Sequence, residues 1–104
     1  MNKSVRILDM SRNSLGPKGT YLLCDALREK GVSVKSLDLS YNEIGNLGAK
    51  SVGRLVEQKG ILELRVQGNK ISCEGMNIMF EKLTCSTVKI LDMSQNIMQI
   101  GILH

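Results

Sequence analysis

The nine-residue phrase LDMSRNSLG, from Leu8 to Gly16, returns as LDLSYNEIG from Leu37 to Gly45. It is echoed as LRVQGNKIS from Leu64 and LDMSQNIMQ from Leu91. Aligned on their asparagines, the segments read VRILDMSRNSL, VKSLDLSYNEI, ILELRVQGNKI and VKILDMSQNIM. Asn13, Asn42, Asn69 and Asn96 are separated by 29, 27 and 27 residues. Units this short cannot bury an apolar face alone. They must stack, so that each covers its neighbour and the chain of 104 residues forms one domain.

Each unit has two periods. LDLS alternates apolar and polar, as a strand with one buried face does. Then the period lengthens. After Gly19 the apolar residues are Leu22, Leu23, Ala26 and Leu27; after Gly48 they are Val52, Leu55 and Val56, with Ser51 in a small slot; after Gly75 they are Ile78, Met79 and Leu83. These offsets predict one face of a helix. Pro17 suits a first helical turn, and Gly31 and Gly60 suit left-handed caps after the first two helices. Gly19, Gly48 and Gly75 predict points where the backbone approaches the neighbouring unit closely. A return loop two residues longer after the first helix accounts for the 29-residue spacing. The units run approximately over 5–33, 34–60, 61–87 and 88–104. The fourth has Ile102 in the glycine slot and ends at His104 before a helix.

Parallel strands stack at about 4.8 Å, whereas helices cannot approach closer than about 8–10 Å. The stack therefore curves, with strands on the concave face and helices on the convex face.

The pattern L-x-x-L-x-L-x-x-N-x-L in every unit, and the stretch LDLSYNEIGNLGAKSV, resemble the ribonuclease-inhibitor-like subfamily of leucine-rich repeats. The resemblance covers residues 5 to about 100. It implies an α/β leucine-rich-repeat solenoid, a short horseshoe of three full units plus a partial fourth. The family includes nuclease inhibitors, activators of small GTPases, innate immune sensors and cytoskeletal scaffolds, all protein-binding horseshoes. Ribonuclease inhibitors are longer and acidic, while this chain has a net charge of +4, which argues against direct ribonuclease inhibition.

Catalysis is not expected. The one histidine, His104, is the last residue, and a positioned imidazole is what a Ser-His-Asp or Cys-His site needs. Cys24, Cys73 and Cys85 have no metal-ligand spacing, so small buried or half-buried thiols are expected, with no metal and no cofactor. Three widely spaced cysteines suit a reducing, cytoplasmic compartment. No run of 18 apolar residues predicts a membrane span, and Asp9 interrupts the only apolar stretch near the N-terminus. The cations Lys18, Arg28, Lys30, Lys50, Arg54, Lys59 and Lys82 fall on helices or their ends. They are scattered and lack stacking aromatics, so a nucleic-acid groove is not supported.

The concave face is the candidate binding site. With Val34, Leu37 and Leu39 inward, Ser36, Asp38, Ser40 and Tyr41 point outward. One column reads Asp9, Asp38, Arg65, Asp92, in which Arg65 would neutralise two flanking carboxylates. Tyr41 and Arg12 are the expected anchors, being residue types favoured at hot spots. The asparagines Asn13, Asn42, Asn69 and Asn96 form the expected structural ladder, each tying its own loop to the next unit through its amide. The expected partner is another protein, met at the concave face or at an open end of the solenoid. Self-association through Met98, Ile100, Ile102 and Leu103 is part of that expectation. The function class is scaffold or adaptor, with a regulatory module of GTPase-activator or enzyme-inhibitor type as the alternative.

Overall fold

The computed structural model describes residues 4–58 and 60–97. β1 (Ser4–Asp9), β2 (Ser33–Asp38), β3 (Glu63–Arg65) and β4 (Ile90–Asp92) form one parallel sheet in chain order. α1 (Gly16–Glu29), α2 (Gly45–Val56) and α3 (Cys73–Leu83) connect them. Each connection leads to the adjacent strand, and α2 packs against both α1 and α3. The sheet does not close on itself. This is an open α/β solenoid with strands on one side and helices on the other.

The register explains the core. Leu8, Leu37, Leu64 and Leu91 stand side by side. Leu37 and Leu64 are fully buried, with a unit on either side, while Leu91 is 37% exposed. Val34, Leu39, Ile44, Ile61, Val66 and Ile71 complete the layer between strands and helices. α2 is held between two helices and is lined with small residues to suit: Gly48, Ala49, Ser51 and Gly53 are all buried.

Four sequence expectations need correction. The two extra residues of the first unit lie in the helix, which has 14 residues in α1 against 12 in α2. The return from helix end to core leucine (Glu29 to Leu37, Val56 to Leu64, Leu83 to Leu91) has the same length in each unit. On α1, Leu22 and Ala26 are exposed rather than in the apolar face, because no described helix covers that side. Gly31 has φ +64° as a left-handed residue, but Gly60 sits at φ +128°, outside that well, with its N–H bonded to Thr87 Oγ1 at 2.9 Å. Of Gly19, Gly48 and Gly75, Gly75 comes close to the neighbouring unit as expected, whereas Gly19 and Gly48 make room for Leu15 and Ile44 of their own units. A Cβ on Gly48 would meet Ile44 of its own unit at 2.5 Å, and one on Gly75 would collide with Asn46 Oδ1 of the preceding unit.

Lys59, Met98, Ile100, Ile102, Leu103 and His104 lie outside the described residues, and with them the expectations about the C-terminal end.

Candidate functional site

The strand face away from the helices carries the acidic column. Asp9 pairs in register with Asp38, Asp38 with Arg65, and Arg65 with Asp92. The expected neutralisation by Arg65 takes another form. Its Nη1 bonds Glu63 Oε1 at 3.1 Å, two residues back on the same face of its own strand. The aspartates are engaged in their own turns. Asp9 Oδ1 accepts the Ser11 O–H at 2.6 Å and the Ser11 N–H at 2.9 Å. Asp92 Oδ1 accepts the Ser94 O–H at 2.7 Å and N–H at 3.0 Å. These serine bonds hold both carboxyls below the ordinary value of 3.8, the hydroxyl acting more strongly than the N–H. At Asp92 the Arg65 charge adds a smaller push the same way.

Among the described residues Asp38 accepts the Ser40 N–H alone, at 2.9 Å, because the Ser40 hydroxyl is used elsewhere. Ser40 was expected to point outward, yet it is only 4% exposed. Its Oγ accepts the Gln67 N–H of the next unit at 3.1 Å.

Beyond the strands the chain turns sharply, and left-handed residues make the turn. The residue before each asparagine has positive φ: Arg12 at 57°, Tyr41 at 56°, Gly68 at 64° and Gln95 at 56°. Left-handed backbone costs a residue with a Cβ about 1–2 kcal/mol. Bonds between units offset that cost. Arg12 N–H donates to Ser40 O at 2.9 Å, Tyr41 N–H to Gln67 O at 2.8 Å, and Gly68 N–H to Ser94 O at 3.0 Å.

This column holds the most specific arrangement on the face. The Arg12 guanidinium sits 4.3 Å from the Tyr41 ring centroid, within cation–π range. The ring lies across Gly68, where any Cβ would collide with its Cε1. The Tyr41 hydroxyl then donates to Gln95 Oε1 at 2.7 Å. Arg12 and Tyr41 were singled out from the sequence and are brought together. Gln95 and Gly68 were missed as their partners. The available signal was that all four occupy the position before an asparagine, with a glycine where a large neighbour needs room.

The asparagines lie just inside this column. Asn42 Oδ1 accepts the N–H groups of Asn13 and Leu15 at 2.8 and 3.2 Å, and its Nδ2 donates to Met10 O at 2.8 Å. Asn69 Oδ1 accepts from Asn42 at 2.7 Å and Ile44 at 3.4 Å. Asn96 Oδ1 accepts from Asn69 at 2.8 Å and Ile71 at 3.0 Å. Each side chain reaches the preceding unit rather than the next one. The Asn13 side chain instead donates to carbonyls of its own unit, Met10 O and Ser11 O. A second link between units lies at the helix entrances. Asn46 Oδ1 accepts the Ser72 N–H at 2.9 Å and its Nδ2 donates to Ser72 Oγ at 2.8 Å, serving the start of α3 from the unit before.

A family model described as Leucine Rich repeat matches residues 2–24 and 32–53. Over 81 residues the chain is 35% identical to the protein named Ribonuclease inhibitor from Sus scrofa, across 77% of this chain and 18% of that one. The chain is a leucine-rich-repeat protein, and its repeats are of the ribonuclease-inhibitor-like type. It is also 28% identical over 85 residues to NACHT, LRR and PYD domains-containing protein 2 of Homo sapiens, across 81% of this chain and 8% of that protein. The chain thus spans less than a fifth of the length of either relative.

Among the described residues no three His, Cys, Asp or Glu side chains form a group able to hold a metal. Among the same residues no helix is long and apolar enough to cross a membrane. Cys24 is buried, and burial pushes its thiol up to about 12 against the opposing Arg28 charge. Cys73 and Cys85 are exposed, not buried or half-buried as their residue type suggested. Cys73 begins α3 and Cys85 follows it, where helix ends face solvent.

Proposed function

We propose that this leucine-rich-repeat protein binds another protein through its concave strand face, as a scaffold or adaptor. The observation that carries the reading is the Arg12–Tyr41–Gln95 array. A tyrosine held at both its ring face and its hydroxyl is already ordered before a partner arrives, so little side-chain entropy is lost on docking. Arginine and tyrosine are also the residue types that anchor interfaces. Beside them Asp9, Asp38 and Asp92 offer an acidic row, and Ile7, 73% exposed, offers apolar contact at the edge of the same face. A partner segment with basic and apolar side chains complements this strip. A cytoplasmic setting suits the exposed thiols.

A regulatory reading, as an enzyme inhibitor, draws on the likeness to the protein named Ribonuclease inhibitor. The basic charge of this chain favours the adaptor reading over inhibition of a basic enzyme.

The test places a photo-crosslinking residue at Ile7 of the full chain in nuclease-treated extract. A protein adduct is expected, and Arg12→Glu or Tyr41→Ala should abolish it with helix content kept. An adduct indifferent to both substitutions, or none at all, overturns the reading. Inhibition of an added ribonuclease at stoichiometric amounts would favour the regulatory reading instead.

A further inference from the structure

On the opposite side of the solenoid, a groove of about 400 Å³ runs between α1 and α2, lined by Pro17, Lys18 and Tyr21 and by Leu47, Lys50 and Arg54. Its apolar lining is unusually open. Leu47 is 72% exposed and Tyr21 46%. Leu47, Lys50 and Arg54 follow at three and four residues, so they form one stripe of α2, and Lys18 and Tyr21 form the facing stripe of α1.

The charged side chains lining this groove are all cationic, and Asp25, which shares the adjoining hollow with Tyr21 and Arg54, is paired with Arg28 at 3.4 Å. Among the described residues Lys18, Lys50 and Arg54 enter no ion pair. The neighbouring α2–α3 side is different, since Lys82 pairs with Glu57 there at 2.9 Å. Neither α1 nor α2 carries an acidic residue in its first turn, whereas α3 has Glu74. The positive helix starts at the mouth of the groove therefore add to the three cations instead of being offset.

We propose that this groove is a second docking surface, and that its occupant is an acidic amphipathic helix of a protein partner. Such a helix presents an apolar ridge at three- and four-residue spacing with carboxylates beside it. The ridge would fill the hollow over Tyr21 and Leu47 while the carboxylates meet Lys18, Lys50 and Arg54. The alternatives fit less well. Single-stranded nucleic acid needs successive stacking aromatics, and Tyr21 is the one aromatic in the lining. An anionic bilayer is matched by a broad apolar face flanked by cations, not by a hollow between two helices. The groove lies on the helical side, so its occupant and a concave-face partner can be held at once.

The experiment is an amide chemical-shift titration of the full isotope-labelled chain. The probe is a synthetic helical peptide with leucines at helical spacing and glutamates flanking them. Its controls are the same peptide with glutamine for glutamate, phosphatidylserine vesicles, and a short single-stranded DNA. The acidic peptide should shift the amides of Lys18, Tyr21, Leu47, Lys50 and Arg54. Lys50→Glu with Arg54→Glu should weaken it at least about ten-fold through like-charge contact. Leu47→Ser, at a position 72% exposed, should weaken it too. Tyr41→Ala on the other face should change nothing. Equal binding of the glutamine peptide, shifts located elsewhere, or binding of vesicles or DNA in preference to the peptide would each overturn the proposal.

Discussion

The Tyr41 hydroxyl bonds Gln95 Oε1 at 2.7 Å, across the whole width of the unit that lies between them. Gly68 belongs to that unit and sits at φ +64° beneath the ring. A side chain there would face two obstacles: left-handed backbone and the ring itself. Gly68→Ala is therefore expected to destabilise the fold by about 1–3 kcal/mol and to release Tyr41 from Gln95. Tyr41→Phe keeps the ring under Arg12 and loses only the hydroxyl bond, about 0.5–1.5 kcal/mol. Chemical denaturation of both variants measures the difference. A Gly68→Ala protein as stable as the parent would mean that the ring does not lie there.

The asparagines should not be equivalent. Asn42 is fully buried and its side chain serves Asn13, Leu15 and Met10 of the preceding unit. Asn13 is exposed, and its side chain donates to carbonyls of its own unit, Met10 O and Ser11 O. Asn42→Ala should cost about 1–3 kcal/mol, since the partly buried N–H groups of Asn13 and Leu15 lose their acceptor and the Met10 carbonyl loses its donor. Asn13→Ala should cost visibly less. Thermal melts decide it, and equal losses would place the energy in the individual turns rather than between units.

Acid titration should separate the aspartates. The folded-state pKa of Asp9 is lowered below 3.8 by Ser11, and that of Asp92 by Ser94. Groups of this kind add stability above their unfolded pKa, and that contribution is lost as pH falls through the lower folded value. Ser11→Ala should move the Asp9 carboxyl midpoint upward, toward 3.8, and leave Asp92 where it is. Carboxyl carbon shifts followed from pH 6 downward would show this, and an unmoved Asp9 would remove Ser11 as the cause.

Thiol chemistry should divide the cysteines two to one. Cys73 and Cys85 are exposed, while Cys24 is buried with its thiol pushed up to about 12. An alkylating reagent at neutral pH should modify Cys73 and Cys85 in the folded chain and reach Cys24 only under denaturing conditions. Rapid native labelling of Cys24 in intact-mass analysis would contradict its burial.

From its sequence alone, this protein's architecture was determined by what is local and repeated. The alternation in LDLS and the helical offsets of Val52, Leu55 and Val56 each follow from dihedral periodicity within a few residues. Equal spacing of Asn42, Asn69 and Asn96 sets the register between units, and with it the row of Asp9, Asp38, Arg65 and Asp92. What the tertiary structure alone decided are the choices each side chain makes among partners that stacking brings near. Arg65 bonds Glu63 on its own strand, while Asp38 and Asp92 on either side accept from Ser40 and Ser94 in their own turns. Ser40 turns inward to a backbone N–H of the next unit. Tyr41 crosses to Gln95, and Gly75 stays bare for Asn46. Three of these contacts join residues 27 to 54 positions apart, and the Arg65–Glu63 bond is made beside two flanking aspartates that offer the same charge. Their outcome depends on left-handed turn geometry and on a few tenths of an ångström of packing, which a one-dimensional pattern does not contain.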